Sequence, residues 1–161
     1  MIKYEIIDNA LNINIFNTLK EKIFNSAFAW YYNDGYVSSH DKETYFYTHW
    51  VYKDHKILSD LYYDIEPIIK LLDVKSFIRI RVNSTPNLNI KHQVEFHVDA
   101  PFKHKGALLY LNTTNGSTLL EDKTEIECIE NRLLKFDSSK PHAFNFQTDE
   151  KRRIVINFNY F

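Results

Sequence analysis

One cysteine, Cys128, stands among the 161 residues, so no intramolecular disulfide can form and packing and hydrogen bonds must hold the fold. That scarcity predicts a reducing compartment. Three glycines and four prolines leave no proline- or glycine-rich linker, and no low-complexity tract or repeat is visible, so a single domain over 1–161 is expected. No apolar run approaches the roughly 20 residues that a membrane-crossing helix needs. "MIKYEIIDNA" also lacks the apolar core of a signal peptide, and a cytoplasmic protein is the expectation. Charge of neither sign dominates. Net charge is −1, so no long-range field draws the chain to nucleic acid or to an anionic membrane, and neither is expected as a partner.

What is present is aromatic and apolar: 44% hydrophobic residues, with 11 Tyr and 12 Phe, enough for a real core at this length. "IKYEIID" alternates with period 2 and predicts a first strand. Asp8 or Asn9 then caps a helix through "ALNINIFNTLKEKIFNS", with Leu11, Ile15, Leu19, Ile23 and Phe24 as its apolar stripe. Residues 29–50 are aromatic and polar around Asn-Asp-Gly, which predicts a short strand, a turn and a mobile excursion. A second helix fits 57–73, with Pro67 kinking or breaking it.

After Val74 the pattern becomes short period-2 runs at 76–83, 92–99, 106–112, 117–121, 124–130, 132–137, 142–147 and 152–160. About eight short strands following two helices predict a mainly β, α+β fold. Its core is a sandwich or barrel, most simply a jelly roll, with the N-terminal helices outside. Residues 1–75 would supply the helices and 76–161 the core.

The chain's only His-x-Asp triplet lies in "EFHVDAPF". On a strand His97 and Asp99 project to one face, while Phe96 and Val98 face the other way into packing. One imidazole and one carboxylate are two-thirds of a His₂-carboxylate facial triad, which holds ferrous iron with positions left open. A zinc hydrolase uses the same donors, and two polar residues at a strand end need no metal at all. His142, which opens a strand after the turn-rich "FDSSKP", is the best candidate for the third ligand. The other histidines, His40, His49, His55, His92 and His104, are expected to be dispensable for metal. On "RRIVINFNY", Arg153, Val155, Asn157 and Asn159 share one face, opposite Ile154, Ile156 and Phe158. An arginine in such company suits bidentate capture of a carboxylate.

Together "HVD", "PHAF" and "RRIVINFNY" resemble the Fe(II)- and 2-oxoglutarate-dependent oxygenases, most closely the prolyl 4-hydroxylase-like branch, over about 76–161. Small size and lysine-rich composition are most similar to phage or bacterial members. The resemblance implies Fe(II) as metal and 2-oxoglutarate as cosubstrate with O₂. It implies His97, Asp99 and His142 as metal ligands and catalytic centre, and Arg153 as the clamp on the distal carboxylate, with Arg152 the alternative if the register slips. Tyr110 is placed beside that carboxylate and Asn83 at a polar cofactor contact. "NGST" (115–118) resembles a glycine-rich turn before the strand that leads to the distal histidine. Hydroxylation of a protein or peptide proline is the implied activity. A small-molecule or free amino-acid hydroxylase, or a non-catalytic cupin-like barrel, are the alternatives. The excursion 31–50 is the candidate lid, with Tyr45, Tyr47, His49 and Trp50 as contacts. Asn159 stands where nucleic-acid repair members carry a second arginine, which argues against a nucleotide substrate.

Overall fold

Alternation along the longest strands decides the architecture. In the computed structural model, which describes residues 4–35 and 44–161, β5 (Phe77–Pro86) and β11 (Arg152–Tyr160) pair antiparallel at the centre of the larger sheet. Ile80, Val82, Ile154, Ile156 and Phe158 point to one face and are buried in the main apolar core. Arg79, Arg81, Asn83, Arg153 and Asn157 point to the other and line a cavity. Period 2 thus separates a dry face from a wet one on the same strands.

The larger sheet has eight strands. Besides β5 and β11 these are β1 (Tyr4–Ile7), β2 (Tyr31–Asp34), β3 (Tyr45–Lys53), β4 (Lys56–Ile57), β6 (Lys105–Tyr110) and β9 (Leu133–Phe136). Their order is β1-β9-β6-β11-β5-β3-β2, with β4 on the end of β3. A second sheet, ordered β10-β7-β8, is built from β7 (Thr114–Leu120), β8 (Glu125–Cys128) and β10 (His142–Asn145). It packs on the inner face of the first, where Leu120, Ile126 and Cys128 meet Leu108, Tyr110, Leu134 and Val155. The fold is therefore a mixed α+β arrangement dominated by two antiparallel sheets. The sheets share no strand, so no closed barrel forms among the described residues.

Helices cover the outer face. On α1 (Ile13–Phe24) the buried positions are Phe16, Leu19 and Ile23. The predicted stripe is displaced: Ile15 is exposed and Phe16 is wholly buried. Phe16, Leu19 and Ile23 fall at i, i+3 and i+7 on the helical face that meets the sheet, which turns Ile15 outward. The cap is neither Asp8 nor Asn9 but Asn12, whose side chain accepts from the Asn14 amide at 3.0 Å. The predicted second helix is two single turns, α2 (Leu61–Asp64) and α3 (Glu66–Ile69), split before Pro67, as a ring without an amide hydrogen requires. Among the described residues no helix is long and apolar enough to cross a membrane.

Two strand expectations need correction. Residues 92–99 form no regular strand; two isolated bridges, Gln93 to Asn145 and His97 to His142, tie this extended segment to β10. No other described residue closes over its outer side, and Phe96 and Val98 are exposed rather than packed. "NGST" is not a turn either. It lies within β7, where the register to β8 shifts between Thr114 and Ser117, so an irregular strand replaces the expected loop.

Gly106 shows how tightly the inner face is built: a Cβ there would lie 2.5 Å from Ser138 Cβ and 2.7 Å from its Oγ. Overpacking of this kind costs about 1–3 kcal/mol. Gly106→Ala is expected to lower the unfolding free energy by that much, read as a lower urea midpoint with an unchanged slope, and an unaltered midpoint contradicts the packing described.

Candidate metal centre and cofactor cavity

His97 and His142 are brought together by the backbone. The His97 amide donates to the His142 carbonyl (3.0 Å) and the His142 amide to the His97 carbonyl (2.9 Å), which sets the rings 4.7 Å apart between centroids. A single narrow antiparallel bridge therefore does the work expected of a full strand. Two residues on, Asp99 is anchored by its own amide, which donates to the Ser138 carbonyl at 3.3 Å. One ligand atom from each of His97, Asp99 and His142 lies within 4.8 Å of the others.

The orientation of each ring follows from its neighbours. His97 Nδ1 is 3.1 Å from the Glu95 carbonyl oxygen and His142 Nδ1 is 3.0 Å from that of Lys140. A carbonyl only accepts, so each Nδ1 carries the proton and each Nε2 presents its lone pair. Burial of His142 lowers its pKa below the usual 6.5, with the His97 ring adding to the effect against the attraction of Asp99. The ring is thus unprotonated at neutral pH and free to ligate. This donor set fits a divalent transition metal: two imidazole lone pairs and one carboxylate on one side, with no fourth ligand among the described residues.

Asp99 is held as an anion in a buried place. Burial alone raises its pKa. The charges of His142, Arg79 and Arg81 and the amide of Asn159 reverse this and bring it down to about 2. Oδ1 accepts from Arg79 Nη2 and Oδ2 from Asn159 Nδ2, both at 2.8 Å. Neither partner was singled out as a site residue from sequence. The signal for Arg79 was its alternation with Arg81 and Asn83 on "RIRVN"; for Asn159 it was its place on the face of Arg153.

The triad opens into a cavity of about 270 Å³ whose lining includes Arg79, Arg81, Asn83, Thr118, Phe144 and Arg153. Arg153 is 3% exposed; its guanidinium donates to Thr118 Oγ1 at 3.0 Å and lies 5.4 Å from the Tyr110 ring centroid and 5.3 Å from that of Phe144. Arg152 turns to the outer face, 4.9 Å over the Phe24 ring, as the alternation requires. Tyr110 stands behind Arg153 and is absent from the cavity wall. Its hydroxyl donates to Thr118 Oγ1 at 2.8 Å, and burial pushes its pKa up to about 12. Thr118, which sequence reasoning missed, is therefore the hydroxyl that faces the cavity, with both acceptor positions filled and its own hydrogen available. Asn83 Oδ1 is buried in the lining without a hydrogen-bond partner. The buried Arg153 guanidinium fits a ligand with a carboxylate end, whereas Asn83 Oδ1, an acceptor, calls for a donor group.

The lid is expected over 31–50. Residues 36–43 lie outside the described residues, and 45–53 are the regular strand β3. Tyr47 and His49 pair with Ser84 and Val82, so they and Tyr45 face away from the cavity. His49 is engaged there by the Ala29 carbonyl and the Ser59 hydroxyl. Trp50, opposite Arg81, is on the cavity side, with the Arg81 guanidinium 5.7 Å from its ring centroid.

No protein-family model and no curated relative matches the chain. Solved structures do. A prolyl hydroxylase in complex with a hypoxia inducible factor oxygen degradation domain peptide fragment, from Trichoplax adhaerens, matches with TM-score 0.70 at 18% identity, over 98% of this chain and 83% of that one. A prolyl-4-hydroxylase of Pseudomonas putida matches with TM-score 0.66 at 14% identity, over 100% and 94%. HygX from Streptomyces hygroscopicus, with nickel and 2-oxoglutarate bound, matches with TM-score 0.66 at 9% identity, over 99% and 82%. The chain shares the fold of these solved structures. At these identities the likeness is one of fold alone.

A depressed carboxylate pKa stabilises the folded state above its unfolded value and loses that stabilisation as pH falls through the folded one. For Asp99 the window runs from 3.8 down to about 2. The metal-free protein is therefore expected to lose roughly 2 kcal/mol across that window from this group. In Asp99→Asn that part of the loss should vanish from denaturant titrations run at several pH values, and an identical acid profile contradicts the assignment.

Proposed function

We propose that the protein is an Fe(II)- and 2-oxoglutarate-dependent oxygenase that hydroxylates a C–H bond, on a one-domain double-stranded β-helix (jelly-roll) core. The observation that carries this reading is the pairing, in one cavity, of a three-donor metal site with a buried arginine. A zinc hydrolase or a simple metal-binding barrel needs the first and gives no reason for the second.

In this reading His97, Asp99 and His142 hold the metal. Arg153 and Thr118 receive the distal carboxylate of 2-oxoglutarate, and Asn83 makes a further polar contact. Tyr110, kept a neutral phenol by burial, backs both Arg153 and Thr118 rather than touching the ligand. Leu108 and Val155 supply an apolar wall that excludes water from that end. Ferrous iron with 2-oxoglutarate and O₂ supplies the oxidising chemistry, and the chain supplies orientation and exclusion.

The preferred substrate is a proline in a protein or peptide, supported by the likeness to the Trichoplax adhaerens hydroxylase that holds a peptide. A small acidic molecule is the second reading, favoured by the additional cation Arg81 in the cavity wall beside Trp50. Nucleic acid is not proposed: Asn159, at the position of the repair enzymes' second arginine, is committed to Asp99.

Aerobic conversion of 2-oxoglutarate to succinate with ferrous iron tests the reading. Wild type is expected to turn over, and His97→Ala, Asp99→Ala and His142→Ala to fold and not do so. Arg153→Ala is expected to weaken 2-oxoglutarate binding by about 2–5 kcal/mol while leaving metal affinity nearly unchanged, and Arg152→Ala to change neither. Turnover in the His142 variant equal to wild type removes it from the site. Loss in Arg152→Ala with retention in Arg153→Ala moves the clamp to the other face.

A further inference from the structure

Resting on the metal site proposed above, we infer that His104 and Ser138 are positioning residues for the Asp99 carboxylate, acting on it through Asn159. None of the three is a metal ligand, and His104 lies outside the cavity wall. What joins them is a run of hydrogen bonds whose directions leave no choice.

Asp99 as a carboxylate only accepts, so Asn159 must turn its Nδ2 toward Asp99 Oδ2, at 2.8 Å. Its Oδ1 then faces Arg79 Nε, which only donates, at 2.6 Å. The second hydrogen on Asn159 Nδ2 is directed at Ser138 Oγ, 3.1 Å away. Ser138 Oγ must send its own hydrogen elsewhere, and His104 Nε2 is 2.7 Å from it. For Nε2 to accept, the ring proton must sit on Nδ1, which is 2.7 Å from the Phe102 carbonyl, an obligate acceptor. Every donor therefore finds an acceptor: Asn159 Nδ2 donates to Asp99 on one side and to Ser138 on the other, and from Ser138 the donation continues through His104 to the Phe102 carbonyl.

The run is buried: His104 is 3% exposed, Ser138 0% and Asn159 1%. A hydroxyl and an imidazole there are costly to desolvate unless both are satisfied, and an apolar pair would fill the same space without that cost. Gly106, with no side chain, is what admits Ser138 to this position. The Ser138 carbonyl also accepts from the Asp99 amide, so the same residue fixes both the backbone and, through Asn159, the carboxylate of Asp99. With Arg79 on Oδ1 and Asn159 on Oδ2, the carboxylate plane cannot rotate. Oδ2, 3.8 Å from His142 Nε2, is the oxygen left facing the histidines.

Removing the far end of the run should loosen the carboxylate without touching a ligand. The test is cobalt(II) titration of the full chain, read by calorimetry and by the d–d spectrum, with thermal unfolding of the metal-free protein recorded beside it. Ser138→Ala keeps the Cβ that packs on Gly106 and loses only the hydroxyl. It and His104→Leu are each expected to weaken cobalt binding about 10–100-fold and to alter the d–d bands. His104→Gln, which retains an acceptor for Ser138, should recover most of the affinity. The double variant should fall little further than either single one, because both lie on one path. Wild-type affinity and spectrum in Ser138→Ala, with only the unfolding temperature lowered, overturn the inference and leave the metal site standing. If His104→Leu does not fold, Ser138→Ala decides alone. No cobalt binding by wild type, or undiminished binding by His97→Ala, overturns the metal site itself and the inference with it.

Discussion

A carboxylate buried and ionised is the constraint around which this molecule is arranged. Asp99 is nearly sealed from water, yet its pKa is brought down to about 2. Burial opposes this, and the charges of His142, Arg79 and Arg81 overcome it together with donors at close range. Arg79 and Asn159 supply them from neighbouring strands, in direct register as partners across the β5–β11 pair. Because both must reach one carboxylate, the alternation of β5 and β11 is fixed. Arg81, Asn83, Arg153 and Asn157 are then carried to the same face. The apolar residues between them have only the outer face to bury, and the helices must cover it.

Stability and chemistry are consequently divided between two faces of the same strands. The outer face, with Phe16, Leu19, Ile23, Leu61 and Ile65 packed on Ile80, Val82, Ile154 and Ile156, is a conventional apolar core. The inner face holds three arginines and one acid around a small cavity. Arg79 is offset there by Asp99, and Arg153 lies against the Thr118 hydroxyl and the Tyr110 and Phe144 rings. The second sheet supplies the rest, bringing His142 on β10 and Thr118 on β7 against the larger sheet. Gly116 in β7 admits the close approach: a Cβ there would lie 2.9 Å from the Asn145 carbonyl oxygen and 3.3 Å from Arg153 Cδ.

Legibility in the sequence followed the strength of the periodic signal. "RRIVINFNY" alternates cleanly over nine residues, and the faces read from it, Arg153 inward and Arg152 outward, are those observed. His97, Asp99 and His142 could be proposed as a set because a His-x-Asp triplet and a strand-opening histidine are local features, and the structure brings them together. What local pattern does not encode was misread. Residues 92–99 alternate like a strand but are held by two bridges, since β10 offers them only a short edge. Ile15 and Phe16 exchange roles because helix rotation answers to the packing partner, not to the spacing alone. Tyr45, Tyr47 and His49 looked available as cavity contacts, yet the pairing of β3 with β5 turns them outward. Partners far apart in sequence were the least visible. Arg79 meets Asp99 across 20 positions and Asn159 across 60, and only the fold joins them.

The central claim is that the triad and Arg153 form two ends of one ligand site. Such a site couples metal and oxoacid thermodynamically, since a ligand held at both ends binds better when both are present. The direct measurement is anaerobic calorimetry of 2-oxoglutarate binding to the full chain with and without ferrous iron. The account predicts a marked gain in affinity when the metal is present, and loss of that gain in Asp99→Ala. Equal affinity with and without metal would show that the two ends do not serve one ligand and would contradict the account.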